Sequence, residues 1–458
     1  MALLKSQSSV ESPGMRHLAF AAVALFSIGT LPVQAAGYGL KEHSADAMAA
    51  AYAGAAASDT DASYLVYNPA SSGGVADIDM SASLVAILPG SRANFGIATT
   101  SAGTPTGGSK TPSGFISDAL VPAFGLRLRL NDRLTAGLSV SAPWGLRTDY
   151  PATWAGRYYA QKSELLTVNI TPSLAYQIVP ELTLGAGLQV EYAKGTLTSA
   201  IDTGTLAALN AIPGAVPGGQ DSFARVSGTN WTVGYTLGAM LRPMAGLTLG
   251  VAYRSSLQQD LSGPLTFTLD SAGMGATIRS LTGLFTNTHQ KTPLTMPDMI
   301  TSGARLDVSG RWTAMAELDW THWSRVRQLV VLPANPAQPN DITNLQWKNT
   351  LFGSLGLEYR AGRNWTYKAG VAYDQSPSSD ATREPRIPDA DRIWISAGAR
   401  VRLNSNLDFN ITASRLFNLS TPIALNPAMP GAALRGTLAG TTKSYVNVAG
   451  VELTWRPD

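Results

Sequence analysis

The side chains that most often do chemistry are scarce in this chain. It has no cysteine and four histidines, His17, His43, His289 and His322. Nucleophilic catalysis needs a serine or cysteine beside a histidine that a carboxylate orients, and a zinc site needs several such ligands close together. None of these histidines shares a face of a predicted strand with both a serine and a carboxylate. The sequence therefore predicts that the protein is not an enzyme and that it holds neither a metal nor another cofactor.

The elements around these residues alternate strictly between apolar and polar positions. Between 182 and 193 every even-numbered residue is apolar, and the odd-numbered ones are glycine, polar or charged apart from Ala193. Successive side chains on a strand point to opposite faces, so this strand has one apolar and one polar face. The pattern recurs in 365–374 and 392–401. Charged residues on the polar face of such long segments are typical of a transmembrane β-barrel.

Fourteen segments of this kind follow from Ile78 onward. The predicted strands are 78–88, 119–130, 134–149, 164–177, 182–197, 230–242, 247–261, 298–308, 312–323, 349–360, 365–374, 391–402, 407–417 and 442–455. An even number of antiparallel strands lets one chain close without an unpaired edge in lipid. Tight turns rich in Gly, Pro, Asn and Asp alternate with long links such as 262–297. In outer-membrane barrels the tight turns and both termini face the periplasm, so we expect that orientation here.

Two features of these segments and links can be predicted in more detail. His322 lies between Trp320 and Trp323. Tryptophan is enriched where a membrane meets water, so we expect His322 to be an interfacial residue beside both rings. Within the link 262–297, residues 274–285 have the apolar spacing of a short amphipathic helix.

The first 35 residues have the features of a secretory signal. Arg16 and His17 precede an apolar run from Leu18 to Leu31, and Val33-Gln34-Ala35 offers a cleavage site between small residues. The run of about 14 residues is shorter than the roughly 20 that a spanning helix needs. We therefore predict a signal peptide over 1–35.

Residues 36–77 lack the alternation of the strands and are too apolar for a disordered tail. Their aromatic residues include Tyr38, Tyr52 and Tyr64. A barrel of fourteen strands is too wide for its own side chains to fill, so its bore is a water-filled pore or holds a plug. We predict an all-β, 14-stranded antiparallel transmembrane β-barrel over 78–458, plugged by a small N-terminal hatch over 36–77.

The charge balance indicates no polyanionic partner. The chain has 34 Lys and Arg residues against 31 Asp and Glu residues, a net charge of +3. Nucleic-acid binding would require a stronger basic excess or patch, so we expect no nucleic-acid partner. The partners expected of such a barrel are outer-membrane lipid and lipopolysaccharide, and we expect a monomer.

Motifs along the whole mature chain resemble one family. They are Ala36-Gly37-Tyr38-Gly39-Leu40, Ser44, Ala51-Tyr52-Ala53-Gly54, Asn68-Pro69-Ala70 in the hatch, Pro143-Trp144-Gly145-Leu146, Trp154-Ala155-Gly156-Arg157-Tyr158, Pro297-Asp298, Glu317-Leu318-Asp319-Trp320-Thr321-His322-Trp323-Ser324, Gly370 to Pro377, Pro388-Asp389-Ala390-Asp391-Arg392 and Trp394. By these motifs the chain resembles the FadL/TodX (OmpP1) family of outer-membrane transporters of long-chain fatty acids and other hydrophobic compounds.

The resemblance implies uptake by lateral diffusion. In the family, extracellular loops capture a hydrophobic ligand, which enters a pocket in the barrel and leaves through an opening in the wall, while the hatch blocks the direct path. That opening lies where the third strand bends inward, and Pro143, Trp144 and Gly145 are at the matching position. The residue types agree, since Pro143 cannot donate a ladder hydrogen bond and Gly145 tolerates a bend. The expected cargo is a fatty acid or, by the same route, an aromatic hydrocarbon.

The resemblance also implies a site for an acid headgroup. Lys194 matches the basic residue of the family's deep site, Asp374 matches its acidic partner, and Lys348 is a third candidate. The family often has arginine at the Lys194 position, and lysine offers a point charge where arginine offers a planar fork. Alternatively, these charges satisfy one another across the polar interior. A general porin and an adhesin or structural barrel stay open as other functions, and the plug segment argues against the porin.

Overall fold

The structure, a computed structural model, describes residues 37–71 and 77–457. The predicted signal peptide over 1–35 lies outside the described residues. The same holds for Ala36 and 72–76 of the predicted hatch and for Asp458 at the end of the barrel.

The described residues form a closed antiparallel barrel of fourteen transmembrane strands, built from twenty strand segments. The segments are β1 (Ile78–Thr99), β2 (Ala119–Arg129), β3 (Leu134–Ser141), β4 (Gly145–Asp149), β5 (Lys162–Val179), β6 (Leu182–Asp202), β7 (Asp221–Met244), β8 (Leu247–Arg254), β9 (Leu257–Thr268), β10 (Thr288–Met296), β11 (Met299–Asp307), β12 (Trp312–Thr321), β13 (Gln328–Pro333), β14 (Asp341–Asn344), β15 (Thr350–Ala361), β16 (Trp365–Asp374), β17 (Arg392–Arg402), β18 (Leu407–Asn418), β19 (Thr421–Leu425) and β20 (Thr437–Trp455). Four pairs of segments are interrupted strands: β3 with β4, β8 with β9, β10 with β11, and β18 with β19. β13 and β14 form a hairpin in a long connection.

The first and last strands close the barrel. β1 pairs with β20 from Met80↔Trp455 to Thr99↔Thr437, with one register shift near Phe95. On β6, Gln189 and Glu191 are 0% exposed, whereas Leu188 is 52% exposed. The apolar face therefore points outward and the polar face inward, as a barrel in lipid requires. The fold class predicted from the sequence is confirmed.

Several strands extend further than the alternation predicted, among them β1, which runs to Thr99, and β6, which runs to Asp202. β9 runs to Thr268 and β10 begins at Thr288, so both ends of the predicted link 262–297 belong to a paired hairpin. The prediction missed this extension because Gly263, Pro264 and Pro293 are residue types that normally interrupt a strand.

Three short α-helices lie outside the wall strands of the described chain: α1 (Ala45–Met48), α2 (Thr203–Leu209) and α3 (Met274–Thr282). α3 confirms the helix predicted within 274–285, and its Ile278 packs with Ala207 of α2 and with Phe285. Within the described ranges, no helix is both long enough and apolar enough to cross a bilayer. Three turns of 3-10 helix complete the list: Ala55–Ala57, Ala62–Val66 and Trp323–Arg325.

The segment 37–71, here called the hatch, lies against the inner wall of the barrel. α1 contacts β17, β18 and β20, the 3-10 turn Ala55–Ala57 contacts β8 and β11, and the turn Ala62–Val66 contacts β1, β2 and β3. Glu452 of β20 accepts hydrogen bonds at Oε2 from Ser44 Oγ and Ala45 N, each 2.9 Å long. Lys368 Nζ of β16 lies 2.5 Å from Asp46 Oδ2 of α1. The hatch therefore has polar anchors on the wall.

Candidate functional site

The third barrel strand is broken between β3 and β4. Against β5 the pairs are Ser141↔Asn169 and Gly145↔Leu166, so 142–144 stand opposite 167 and 168 alone. This additional residue is a β-bulge, which bends a strand. On the other side of the third strand, the pairing of β2 with β3 ends at Phe124↔Val140. Among the described residues, the next pair between the second and third barrel strands is the isolated bridge Ile116↔Thr148. The wall between the second and third strands is therefore interrupted.

The backbone of the break pairs with the hatch instead of with β2. Leu40 N donates to the Pro143 carbonyl and Gly145 N donates to the Tyr38 carbonyl, both at 2.8 Å. Trp144 N donates to Thr167 Oγ1 at 3.1 Å. The structure thus places Pro143, Trp144 and Gly145 at the interruption, with their backbone polar groups paired to the hatch and to β5.

The other predicted hatch residues lie further along the same segment. Asn68 is 0% exposed, and its Nδ2 donates to the carbonyl of Ala239 on β7 at 3.2 Å. Its Oδ1 accepts from Ala70 N at 2.9 Å, across Pro69. Asn68-Pro69-Ala70 therefore forms a side-chain-bonded turn held against the wall.

A cavity of about 90 Å³ lies between the break and the hatch, and we call it the hatch cavity. Its lining comes from the hatch, from the break and from several wall strands. The lining residues include Lys41, Pro143, Trp144, Arg254, Asp319, Trp323, Phe352, Asp374 and Trp394. The cavity thus touches the interruption in the wall.

Lys41, Asp319 and Asp374 of the hatch cavity are in ion pairs, whereas Glu42 and Arg254, which also line it, take part in none among the described residues. Lys41 forms an ion pair with Asp319, and Asp374 Oδ2 lies 3.2 Å from Arg392 Nη2. Arg254 differs, because the hydrogen bonds that its guanidinium makes run to neutral oxygens: Nη1 donates to Gln189 Oε1 at 2.8 Å and Nη2 donates to the Val66 carbonyl at 3.3 Å. Arginine is suited to binding a carboxylate through two N–H groups. Arg254 is therefore the group in this cavity best able to bind an anion.

Of the three predicted headgroup residues, the structure brings only Asp374 to the cavity. Lys194 is exposed and follows Leu188 and Tyr192 on the outward face of β6. Lys194 therefore does not face the interior as expected, because it is in register with the even-numbered residues of β6 that point outward. Lys348 is exposed in the connection before β15. Its position could not be predicted because a connection has no alternation.

An aromatic cluster separates the hatch cavity from a second cavity. Tyr38 lies edge-on to Trp323, with ring centroids 4.8 Å apart, and contacts Trp144 at 5.9 Å and Trp347 at 5.4 Å. Tyr38 lines the second cavity, of about 60 Å³, whereas Trp144 and Trp323 line the hatch cavity. We call the second space the apolar cavity, because most of its lining residues are apolar, with seven leucines and Ile387 among them.

Trp323 corrects one further expectation. It is 2% exposed in this cluster, not interfacial, because it lies in a 3-10 turn after the end of β12, where alternation no longer decides the direction of a side chain. His322 lies beside Trp320, with ring centroids 5.0 Å apart, and its Nδ1 is 3.1 Å from Asp298 Oδ1.

A third space, the loop groove, lies among the long connections. It has a volume of about 310 Å³ and is lined mostly by apolar side chains, including Leu206, Phe267 and Phe285. Arg386 lines both the groove and the apolar cavity. The groove, the apolar cavity and the hatch cavity therefore follow one another from the long connections to the break in the wall.

The connection 375–391 ties this region to the hatch. Asp389 Oδ2 accepts hydrogen bonds from Gly37 N at 3.1 Å and from Ser376 Oγ at 2.6 Å. Burial raises the pKa of the Asp389 carboxyl to about 6, although Arg392 favours its charged form. The start of the hatch is thus held by a buried carboxyl group of a long connection.

Over residues 26–456 the chain matches the model of a family described as outer membrane protein transport protein (OMPP1/FadL/TodX). The chain belongs to this family. It is 28% identical over 444 residues to the long-chain fatty acid transport protein of Escherichia coli (strain K12), covering 93% of this chain and 97% of the relative. It is 26% identical over 408 residues to outer membrane protein P1 of Haemophilus influenzae, covering 82% and 85%.

Solved structures have the same architecture. The crystal structure of a Pseudomonas aeruginosa FadL homologue matches with a TM-score of 0.83 at 25% identity, over 92% of this chain and 100% of that one. The Pseudomonas putida toluene transporter TodX matches with a TM-score of 0.66 at 18% identity, over 92% and 100%, which shows the shared fold alone. The resemblance predicted from the motifs is confirmed, and the chain is a multi-pass outer-membrane transport protein.

Sequence reasoning missed Arg254 and Arg386. Arg254 could have been found, because it continues the inward-facing series Thr248, Gly250 and Ala252 of β8. Arg386 carries no such signal, since it lies in a connection whose course depends on contacts distant in sequence.

Proposed function

We propose that this protein takes up hydrophobic compounds with an acidic headgroup, foremost long-chain fatty acids, by lateral diffusion through the wall of the barrel. The observation that carries the proposal is the interrupted pairing between the second and third strands, which borders the hatch cavity while the hatch occupies the bore. The names of the enterobacterial relatives support fatty acids as cargo.

The proposed route begins at the long connections, which face the cell exterior in this proposal, while both termini face the periplasm. An apolar chain enters the loop groove, continues into the apolar cavity and passes the aromatic cluster into the hatch cavity. It then leaves between β2 and the break at Pro143 into the membrane. The apolar lining of the loop groove and of the apolar cavity favours this path for an apolar chain over the polar bore.

The carboxylate of the cargo needs a partner at the inner end of the route. Arg254 supplies it in this proposal, because its guanidinium lines the hatch cavity and its hydrogen bonds run to neutral acceptors. A charge-assisted bidentate pair would hold the headgroup while the apolar tail points towards the opening.

Deleting Pro143 tests the exit. The deletion leaves two residues opposite 167 and 168 of β5, which removes the bulge and lets the third strand run straight. We expect uptake of labelled oleate, by cells lacking their own fatty-acid transporter, to fall to the level of cells without the gene. Deleting Pro336, an exposed residue in the tip of the β13–β14 hairpin, is the matched control and should leave uptake unchanged. Normal uptake by a correctly folded Pro143 deletion, judged by heat-modifiable gel mobility, would refute lateral exit.

A further inference from the structure

Arg386 lies where two of the three spaces meet. Its side chain lines both the loop groove and the apolar cavity, and the residue is 5% exposed. Leu197 and Val226 are shared by the same two spaces. On the proposed route, a ligand that moves from the groove to the cavity passes this guanidinium.

The protein uses only part of the Arg386 guanidinium. Nη1 donates to Ser163 Oγ and to the Thr198 carbonyl, both at 3.3 Å. Both acceptors are neutral, and within residues 37–71 and 77–457 Arg386 takes part in no ion pair, whereas the nearby Arg435 is paired with Asp341. Since every nitrogen of a guanidinium carries hydrogen, Nε and Nη2 are left for a ligand.

Arg386 and Arg435 are the cations at the junction, and the carboxyl groups of Asp341 and Glu384 lie near them. Burial raises the pKa of the Glu384 carboxyl to about 7, so this group is only partly ionised at neutral pH. Burial, together with the nearby Arg435, lowers the pKa of Arg386 to about 10, which leaves it charged at neutral pH. A buried cation without a carboxylate partner is costly, and an anionic ligand would offset that cost.

We propose that Arg386 selects for a carboxylate headgroup at the passage from the loop groove to the apolar cavity. The inference rests on the proposed function and deepens it, because it names the residue that distinguishes an acid from an uncharged compound before the cargo reaches the aromatic cluster. Arg254 lies beyond that cluster and binds the headgroup in a later step. The planar fork of arginine fits a carboxylate through two N–H groups, while the apolar lining on both sides accepts the tail.

Binding of a fluorescent acid and its uncharged ester tests this assignment. The probes are cis-parinaric acid and its methyl ester, titrated into the purified full-length protein in an uncharged detergent. We expect Arg386→Gln to weaken binding of the acid about tenfold, as the loss of a charge-assisted contact predicts, and to leave the ester unchanged. Arg386→Lys, which keeps the charge but loses the fork, should restore part of the affinity for the acid. The matched control is Arg363→Gln, at an exposed arginine in the turn before β16.

Each other outcome overturns the assignment. Equal weakening for acid and ester would mean that Arg386 only positions the connection 375–391. Unchanged binding of the acid would mean that it does not contact the headgroup. A wild-type protein that binds both probes equally would refute selection at Arg386 and leave uptake of hydrophobic compounds intact. A wild-type protein that binds neither would contradict the proposed function as well. Heat-modifiable gel mobility checks that every variant is folded.

Discussion

Lys194 and Arg254 illustrate how strand parity limits what a charged side chain can do. Lys194 shares the outward face of β6 with Leu188, whereas Arg254 shares the inward face of β8 with Ala252. A motif can match a family position while the neighbouring alternation points the side chain into lipid. Where the motif match and the alternation disagree, the alternation is the stronger evidence for the direction of a side chain. A strand turned the other way would place its charged side chains in the bilayer, at a cost of several kcal/mol per charged group.

Parallel substitutions of Lys194 and Arg254 test whether the motif match or the alternation identifies the residue that binds the headgroup. We expect Arg254→Gln to weaken equilibrium binding of labelled oleate to the purified protein about tenfold, because the carboxylate loses its charged partner. Lys194→Ala should leave binding unchanged, because its side chain lies outside the hatch cavity. Weaker binding in Lys194→Ala with normal binding in Arg254→Gln would restore the role that the resemblance implies.

At the scale of elements, the hatch depends on glycines of the inner wall. A Cβ added to Gly125, Gly250 or Gly370 would lie 2.0 to 2.2 Å from a carbonyl oxygen of the hatch. Real atoms do not approach so closely, so a side chain at these positions would push the hatch backbone away from the wall. The absence of a side chain at these glycines therefore allows the hatch backbone to pack directly against the wall.

Gly370→Ala tests this fit. Its Cβ would lie 2.1 Å from the Ala50 carbonyl oxygen, so we expect a loss of about 1–3 kcal/mol of stability and partial displacement of the hatch. The measurements are the temperature of the heat-modifiable gel shift, which should fall, and ion conductance in planar bilayers, which should rise. Gly353→Ala on the neighbouring β15 is the control, because nothing lies within 4 Å of its added Cβ. Equal behaviour of the two variants would show that the hatch does not need this contact.

Buried ionic contacts add a second, polar attachment between hatch and wall. Lys368 Nζ lies 2.5 Å from Asp46 Oδ2 and 3.6 Å from Glu358 Oε2, and Arg400 Nη2 lies 3.5 Å from Asp46 Oδ1. Buried ion pairs contribute little net stability, yet removing one partner is costly. The cluster therefore specifies where α1 sits more than it strengthens the fold.

At the scale of the whole molecule, the hatch decides whether the barrel is a pore. Residues 37–71 are almost entirely buried within the cylinder, where an open porin would hold water. Fourteen strands enclose more space than the side chains of the wall can fill. The same segment also forms backbone hydrogen bonds with the break in the third strand. It therefore fills the bore of the barrel and borders the interruption in the wall.

Removing the hatch should turn the protein into an ion channel. We expect a variant lacking residues 36–70 to show large, steady conductance in planar bilayers, because water would fill the bore. The intact protein, reconstituted in the same bilayers, should show little current. A folded deletion variant that stays closed would mean that other parts of the chain block the bore.

The sequence by itself determined the number of barrel strands and which face of each strand points outward. The reason is that apolar and polar residues alternate along a strand that separates lipid from a polar interior. The resemblance of the sequence motifs to the family placed the bend at Pro143, and the missing N–H donor of proline agrees with that position. Only the tertiary structure decided which residues surround the cavities. Trp323 and Arg386 lie beyond the strand ends, where no period operates, and their burial follows from contacts with Tyr38 and Ser163, which are far away in the sequence. Local alternation encodes the direction of a side chain within a strand, whereas connections take their positions from the assembled barrel.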